Sequence, residues 1–173
     1  MGNVLEVIEQ RRSCKKYQDK PVPIEIVEKI AKAGTFAATG KGLQSPVILA
    51  VTNKELRDKL SKLNANVLGS TADPFYGAPV VLVVLADKKV NTCVYDGSIV
   101  MANMMLAAEE LEVGSCWIHR AKEVFETEDG KAILKAAGIE GDYEGIGNLV
   151  VGYPDGEKRP TAPRKENYVV WVK

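Results

Sequence analysis

The chain has 173 residues, 23 Lys+Arg balanced by 23 Asp+Glu, one His, three Cys and 46% hydrophobic residues. That length suits one domain burying roughly two-thirds of its unfolded surface, and the charge balance removes the strongest argument for a nucleic-acid or anionic-membrane partner. Cys14, Cys93 and Cys116 are widely spaced and no CxxC, HExxH or EF-hand pattern occurs, which excludes a structural metal centre of the usual kind and a disulfide scaffold; buried reduced thiols in a cytoplasmic protein are expected.

In chain order, Asn3 caps a first helix with Val4, Leu5, Val7 and Ile8 on its apolar side, expected to end near Arg12-Ser13. Met1-Gly2 matches the start of a myristoylation signal, but Glu6 stands where Ser or Thr is wanted. Charges begin at Glu6, so no signal-peptide core is expected. A polar, basic stretch from Cys14 to Val22 leads to a second amphipathic helix carrying Ile24, Val27, Ile30 and Gly34. Thr39 to Gly42 is a loop and Pro46 to Thr52 a strand. Asn53 caps a helix with Leu56, Leu60, Leu63 and Val67 on one side, followed by a loop from Gly69 to Gly77.

Pro79 to Leu85 reads as a strand buried on both faces, because it lacks polar alternation. The surrounding apolar run, Ala78 to Ala86, is far short of the about 20 residues a membrane helix needs. Tyr95 to Leu111 is the longest helix and is apolar nearly all round, so it lies centrally or across a subunit interface. A strand over Ser115–Ile118, a helix over Glu128–Ala137 and a strand over Ile146–Tyr153 follow. A proline-punctuated arm ends in an apolar, β-prone tail, Tyr168 to Val172. Such a tail must pair with its own sheet or a partner's, because a free edge of this composition invites aggregation.

Arg11-Arg12-Ser13-Cys14-Lys15-Lys16-Tyr17 concentrates donors suited to phosphate or carboxylate, or else is the solvated end of the first helix. Arg159, Arg164 and Lys165 form a second basic element in the arm. Neither a P-loop nor a dinucleotide fingerprint is present: the Thr39–Gly42 loop lacks GxxxxGK[ST] and Gly145-Ile146-Gly147 is not GxGxxG. Covalent catalysis is poorly supported, since GxSxG is absent and His119 would have to serve every triad. Cys116 and His119, at odd separation on a strand and its end, point to opposite faces.

Taken together, four ordered segments resemble the short, single-domain members of the flavin-dependent nitroreductase family. They are Arg11 to Tyr17, Ala37 to Pro46, Tyr76 to Val84, and Asp96 through Gly114-Ser115-Cys116-Trp117. Gly152-Tyr153-Pro154 with Pro163-Arg164-Lys165 fits the family's ending. The resemblance implies an α+β fold over residues 1–173, with a central, mainly antiparallel sheet flanked by helices. It implies a homodimer with FMN at its interface, and an arm (about 155–173) whose terminal strand is exchanged between subunits.

The resemblance also assigns roles. Arg11, Arg12 and Ser13, completed by Arg164 and Lys165, grip the FMN phosphate and ribityl chain. Lys15 approaches the N1/O2 side and stabilises the reduced ring. Thr39, Gly40, Gly42 and Gln44 lie over the pyrimidine edge, Asn66 contacts the ring, and Cys116, Trp117 and Ile118 pack a flavin face. His119 is either a substrate-side donor or a surface residue. The chain departs from the family pattern at Ala38, Thr39, Gly42, Ser45 and His119. The implied activity is reduction of nitroaromatics or quinones by NAD(P)H in a ping-pong cycle. Other flavin chemistry, dehalogenation or dehydrogenation, and a non-catalytic flavin-binding or storage role are the alternatives. No metal, nucleic acid or membrane partner is expected.

Overall fold

The computed structural model describes residues 3–173; Met1 and Gly2, and with them the myristoylation signature, lie outside the described residues. Asn3 opens helix α1 (Val4–Gln10) by accepting from the Leu5 amide at 3.1 Å. Helix α2 (Ile24–Thr35) and a short 3-10 turn over Gly40–Gly42 precede strand β1 (Pro46–Val51). Asn53 caps helix α3 (Lys54–Leu68) through the Leu56 amide at 2.9 Å, and Gly69 closes it in the left-handed conformation, φ 70°. Strand β2 (Val80–Asp87), helix α4 (Cys93–Glu110), strand β3 (Gly114–Ile118), helices α5 (Ala121–Glu126) and α6 (Glu128–Ala136), and strand β4 (Tyr143–Gly152) complete the order.

The four strands form one antiparallel sheet in the order β1-β2-β4-β3. β2 lies inside it and is buried on both faces, as its unbroken apolar run predicts. Alternation sends Leu82 and Val84 into one core with Ile30 of α2 and Met101 and Met104 of α4. Val81, Val83 and Leu85 enter a second core with Leu60 of α3, Phe75, and Val124 and Phe125 of α5. The architecture is therefore α+β, with helices on both faces of the sheet.

The first helix ends at Gln10, earlier than its periodicity suggests. Arg11 turns extended (ψ 129°) because the following backbone finds partners in the sheet. Helix α5 is the element the sequence reading lacks: six residues give too few turns for a periodic pattern. β4 starts at Tyr143, three residues before the apolar run that marks it. Cys93 and Cys116 are buried but Cys14 is only half-buried, so the expectation of three buried thiols is corrected at that residue. The tail forms no strand within the chain: Tyr168 to Val172 are 62–96% exposed, and β1, one edge of the sheet, has no further strand beside it among the described residues.

Candidate functional site

The segment after α1 runs along the outer edge of β3. Ser13 bridges Ser115 in parallel, the Cys14 amide donates to the Ser115 carbonyl at 2.9 Å, and Tyr17 bridges Pro154 antiparallel. Backbone hydrogen bonds from Gln18 to Tyr153 and from Asp155 to Lys16 extend the seam. The segment is thus stitched to β3 and to the end of β4 by backbone hydrogen bonds, braced by the Gln18 side chain on the Pro154 carbonyl (2.7 Å) and by the Lys16–Asp155 pair (2.6 Å). Arg11, Ser13 and Lys15 all act on Cys116. Burial pushes that thiol up, against the Ser13 hydrogen bond and the charges of Lys15 and Arg11. Burial likewise raises the Tyr17 phenol, whose hydroxyl donates to the Cys14 carbonyl at 2.8 Å.

Two buried nitrogen atoms lack a partner among the described residues: Arg11 Nη1 and Arg12 Nε. An unmade hydrogen bond at a buried charged group costs more than at a neutral one, so each of these atoms has a donor left for a further acceptor; Arg12 lines the cavity beside the segment, whereas Arg11 lies toward Cys116. Arg12 Nη1 is already spent on the carbonyls of Glu9 (2.6 Å) and Arg11 (2.8 Å), which fixes its guanidinium. A cavity of about 540 Å³ opens beside this segment, lined by Arg12, Ser13, Lys15, Glu109, Lys158 and Arg159 among others. Lys158 pairs with Glu109 across it.

Lys15 Nζ stands 5.7 Å from the centre of the Tyr76 ring. Tyr76 carries a positive φ of 54°, a conformation held by Asp73. The Asp73 carboxylate accepts from Ser61 (2.5 Å), from Arg57 Nη2 (2.6 Å) and from the amides of Phe75 (2.9 Å) and Gly77 (2.7 Å). Burial opposes its ionisation, but these donors prevail and hold it below the usual carboxylate value. Asp73 is not singled out by the sequence, where the loop reads only as small and polar, and Tyr76 enters there only as the first residue of the Tyr76–Val84 resemblance segment.

The second group of expected site residues lies elsewhere. Thr39, Gly40, Gly42 and Gln44 form a loop in which Lys41, Gly42 and Gln44 all have positive φ. Thr39 Oγ1 accepts from the Gln44 amide at 3.1 Å. Thr39 and Gln44 line a separate cavity of about 330 Å³ with Gly34, Pro46, Ile48 and Val100. Among the described residues no hydrogen bond or ion pair joins this loop to Arg11–Tyr17. Of the expected residues, Arg12, Ser13 and Lys15 line the larger cavity and Thr39 and Gln44 the smaller, and both volumes lie in the about 300–1,000 Å³ range of small-molecule sites.

β3 carries Cys116, Trp117 and Ile118, with Cys116 and Ile118 buried. Gly147 of β4 makes room for Trp117: a Cβ there would lie 2.3 Å from the indole nitrogen. His119 is exposed, on the turn after β3, and Arg120 follows with φ 74°. Asn66 is exposed on α3. The amide that reaches the end of β3 belongs to Asn64, fully buried, which donates to the His119 carbonyl (2.8 Å) and accepts from Arg120 Nε (3.0 Å). Only its place on the buried stripe of α3, one turn after Leu60, signals it in the sequence. Arg164 folds back onto the Ala162 carbonyl and Lys165 lies 5.2 Å over Tyr168, so within one chain neither joins Arg11. Among the described residues no group of three or more His, Cys, Asp or Glu is placed to hold a metal, and no helix is long and apolar enough to cross a membrane.

The model of the nitroreductase family matches residues 8–153. An Archaeoglobus fulgidus protein with the provisional name NADH dehydrogenase/NAD(P)H nitroreductase is 30% identical over 164 residues, 91% of this chain and 89% of that protein. Across the curated relatives matched, the aligned part of the chain spans 54%, 60% or 89% of their length. A Bacteroides fragilis nitroreductase solved with bound FMN superposes with a TM-score of 0.91 over 100% of both chains, at 24% identity. An FMN-dependent nitroreductase of Clostridium difficile superposes with a TM-score of 0.80 at 29% identity, covering 96% of this chain and 98% of that one.

Proposed function

The chain belongs to the nitroreductase family, and from that premise we propose that it is an FMN-dependent oxidoreductase, working in the cytoplasm as a homodimer of single-domain chains. The observation that carries this reading is the pair of buried, unpartnered atoms Arg11 Nη1 and Arg12 Nε beside Ser13. The two guanidinium groups supply positive charge and unspent N–H donors, which a terminal phosphate takes up, and the bidentate fork of arginine suits that group. When bound, FMN supplies the two-electron redox chemistry that the protein's own side chains lack. The FMN-dependent Clostridium relative supports the same cofactor.

The chain's residues then divide the work. Arg11, Arg12 and Ser13 hold the phosphate end, with Arg164 and Lys165 as further cations brought in by the arm. Lys15 keeps a positive charge near the ring end, beside Tyr76, where negative charge accumulates on reduction. Backbone of Cys116 to Ile118 lines one face. Thr39 to Gln44 closes the opposite edge from the second subunit, which accounts for two half-sites in two cavities. Asn66 and His119 stand at the exposed rim, His119 as a donor to substrate or as plain surface. The arm adds its Val169–Val172 strand to the free edge of the partner's β1, covering apolar side chains that are bare in a single chain. Val4, Leu5 and Ile8 of α1 and Tyr95 and Ile99 of α4 are exposed and become part of the same interface.

NAD(P)H and a nitroaromatic or quinone-type oxidant occupy one cleft in turn, so a ping-pong pattern is expected. The provisional name of the Archaeoglobus relative supports the nicotinamide donor. The test is direct. Flavin released by denaturation is identified by chromatography, and stopped-flow absorbance then follows reduction of the loaded protein by NADH and NADPH. Stoichiometric FMN, rapid bleaching and parallel double-reciprocal plots are expected. Protein that takes up no FMN overturns the cofactor. Loaded protein that neither nucleotide reduces overturns the activity.

A further inference from the structure

Asp96, in the first turn of α4, is 3% exposed and faces the loop between α2 and β1. Oδ1 accepts from the Gly40 amide at 3.0 Å; Oδ2 accepts from the Ser45 hydroxyl at 3.2 Å and the Thr92 hydroxyl at 3.1 Å. One buried carboxylate thus holds both ends of the loop to the start of α4. The loop between those two points carries three residues at positive φ: Lys41 (54°), Gly42 (67°) and Gln44 (49°). Two of them bear side chains, so this backbone is not one the segment adopts unaided. Gly40 is pressed so close that a Cβ there would lie 2.3 Å from Thr92 Oγ1.

We propose that Asp96 is the positioning residue of the cofactor site's second half. By holding Gly40 and Ser45 it sets the shape in which Thr39 to Gln44 meet the flavin edge, and that pre-organisation tightens FMN binding without Asp96 itself touching the cofactor. The proposal rests on the cofactor reading given above and adds a residue to it. Its physical content is that the loop's ordering cost is met within the folded chain, before the ligand arrives.

Two readouts separate the proposal from the reading it rests on. Hydrogen exchange of peptides spanning 38–46, measured on flavin-free protein, reports the anchor alone. FMN affinity, measured by quenching of flavin fluorescence, reports its consequence. In Asp96→Ala, exchange in that segment is expected to rise by about tenfold or more, and the FMN Kd by about 5- to 50-fold. Asp96→Asn keeps an oxygen for the Gly40 amide, and its NH2 group donates to the Ser45 and Thr92 hydroxyls, so it restores both readouts to within about threefold of the parent. Sedimentation and thermal melting accompany each variant; if Asp96→Ala does not fold, Ser45→Ala repeats the test with smaller changes in the same direction. Unchanged exchange overturns the anchor. Raised exchange with an unchanged Kd, in a folded dimer, overturns its role in the site. A parent protein that binds no FMN overturns the cofactor reading and the role in the site together, while exchange still decides the anchor.

Discussion

The segment Arg11–Gln18 is fixed through its backbone, whereas the loop Thr39–Ser45 is fixed through a side chain. In the first, amides and carbonyls pair with Ser115, Tyr153 and Asp155, and the arginine side chains keep buried atoms unspent. In the second, Asp96 supplies the acceptors, and the backbone twists through three positive-φ residues. The difference teaches where each half tolerates change. Substituting Arg11, Ser13 or Lys15 in the strand-like half is expected to remove a ligand contact and leave the fold, because the side chains that brace the seam are those of Lys16, Tyr17 and Gln18. Substituting the anchor of the loop half changes the shape of a segment that makes its contacts elsewhere.

The strongest way to break this comparison is to separate the halves. If the arm adds a strand to a partner as proposed, deleting the residues after Tyr168 should leave, by sedimentation velocity, monomer or aggregate with flavin lost altogether. A truncated, flavin-loaded dimer would show that the arm does not join the halves.

Next in size is Arg11→Ala. Loss of a charge-assisted phosphate contact should weaken FMN binding about 10- to 150-fold by fluorescence titration. The melting curve of the flavin-free protein should change by less than about 0.5 kcal/mol, since Arg11 Nη1 has no internal partner to lose. Refolding Arg11→Ala together with Gly40→Ala sharpens the point. If the halves come from different subunits, mixed dimers carry one intact and one doubly altered site, and about a quarter of parental flavin capacity returns. No recovery would place both halves in one subunit.

Lys15→Met should slow reduction of bound flavin by NAD(P)H about tenfold in stopped flow while weakening FMN binding less, because its charge matters most once the ring has gained electrons. Equal losses in both would assign Lys15 to binding only.

The smallest effect concerns Asp73, which holds the Tyr76 turn by side-chain bonds as Asp96 holds its loop. Its carboxyl lies below the usual 3.8 when folded. The unfolded chain therefore takes up that proton first on acidification. The stability Asp73 contributes is complete above about pH 5 and is lost as pH falls through the ordinary value toward the lower folded one. Because the side chain is 35% exposed, about 0.5 kcal/mol is at stake. Urea melts between pH 6 and pH 3 should show a shallower fall for Asp73→Asn than for the parent.

Much of the fold was legible because its signals are local: two asparagine caps, an unbroken apolar strand, and glycine stops. Helix α5 was not, since one and a half turns give no period to read. The strand-like half of the site was legible as a basic cluster, although the helix was extended over Arg11 because the sheet partner that straightens it lies a hundred residues away. Asp96, Asp73 and Asn64 were missed as anchors for one common reason. Each is an ordinary polar residue on a helix or loop, and its importance comes from burial against segments distant in sequence, which no spacing rule encodes. Asn66 illustrates the limit: two positions on a helix separate the exposed amide that the resemblance selects from the buried one that meets β3.

The bare tail from Tyr168 to Val172 bears on biosynthesis. In the proposed homodimer, a newly made chain would carry a bare apolar tail and half of each composite site until it met another copy. Acquisition of cofactor by such chains is then second order in their concentration, so at low expression the holoprotein should accumulate with the square of chain level rather than in proportion to it, and dilution should strip flavin and subunits together.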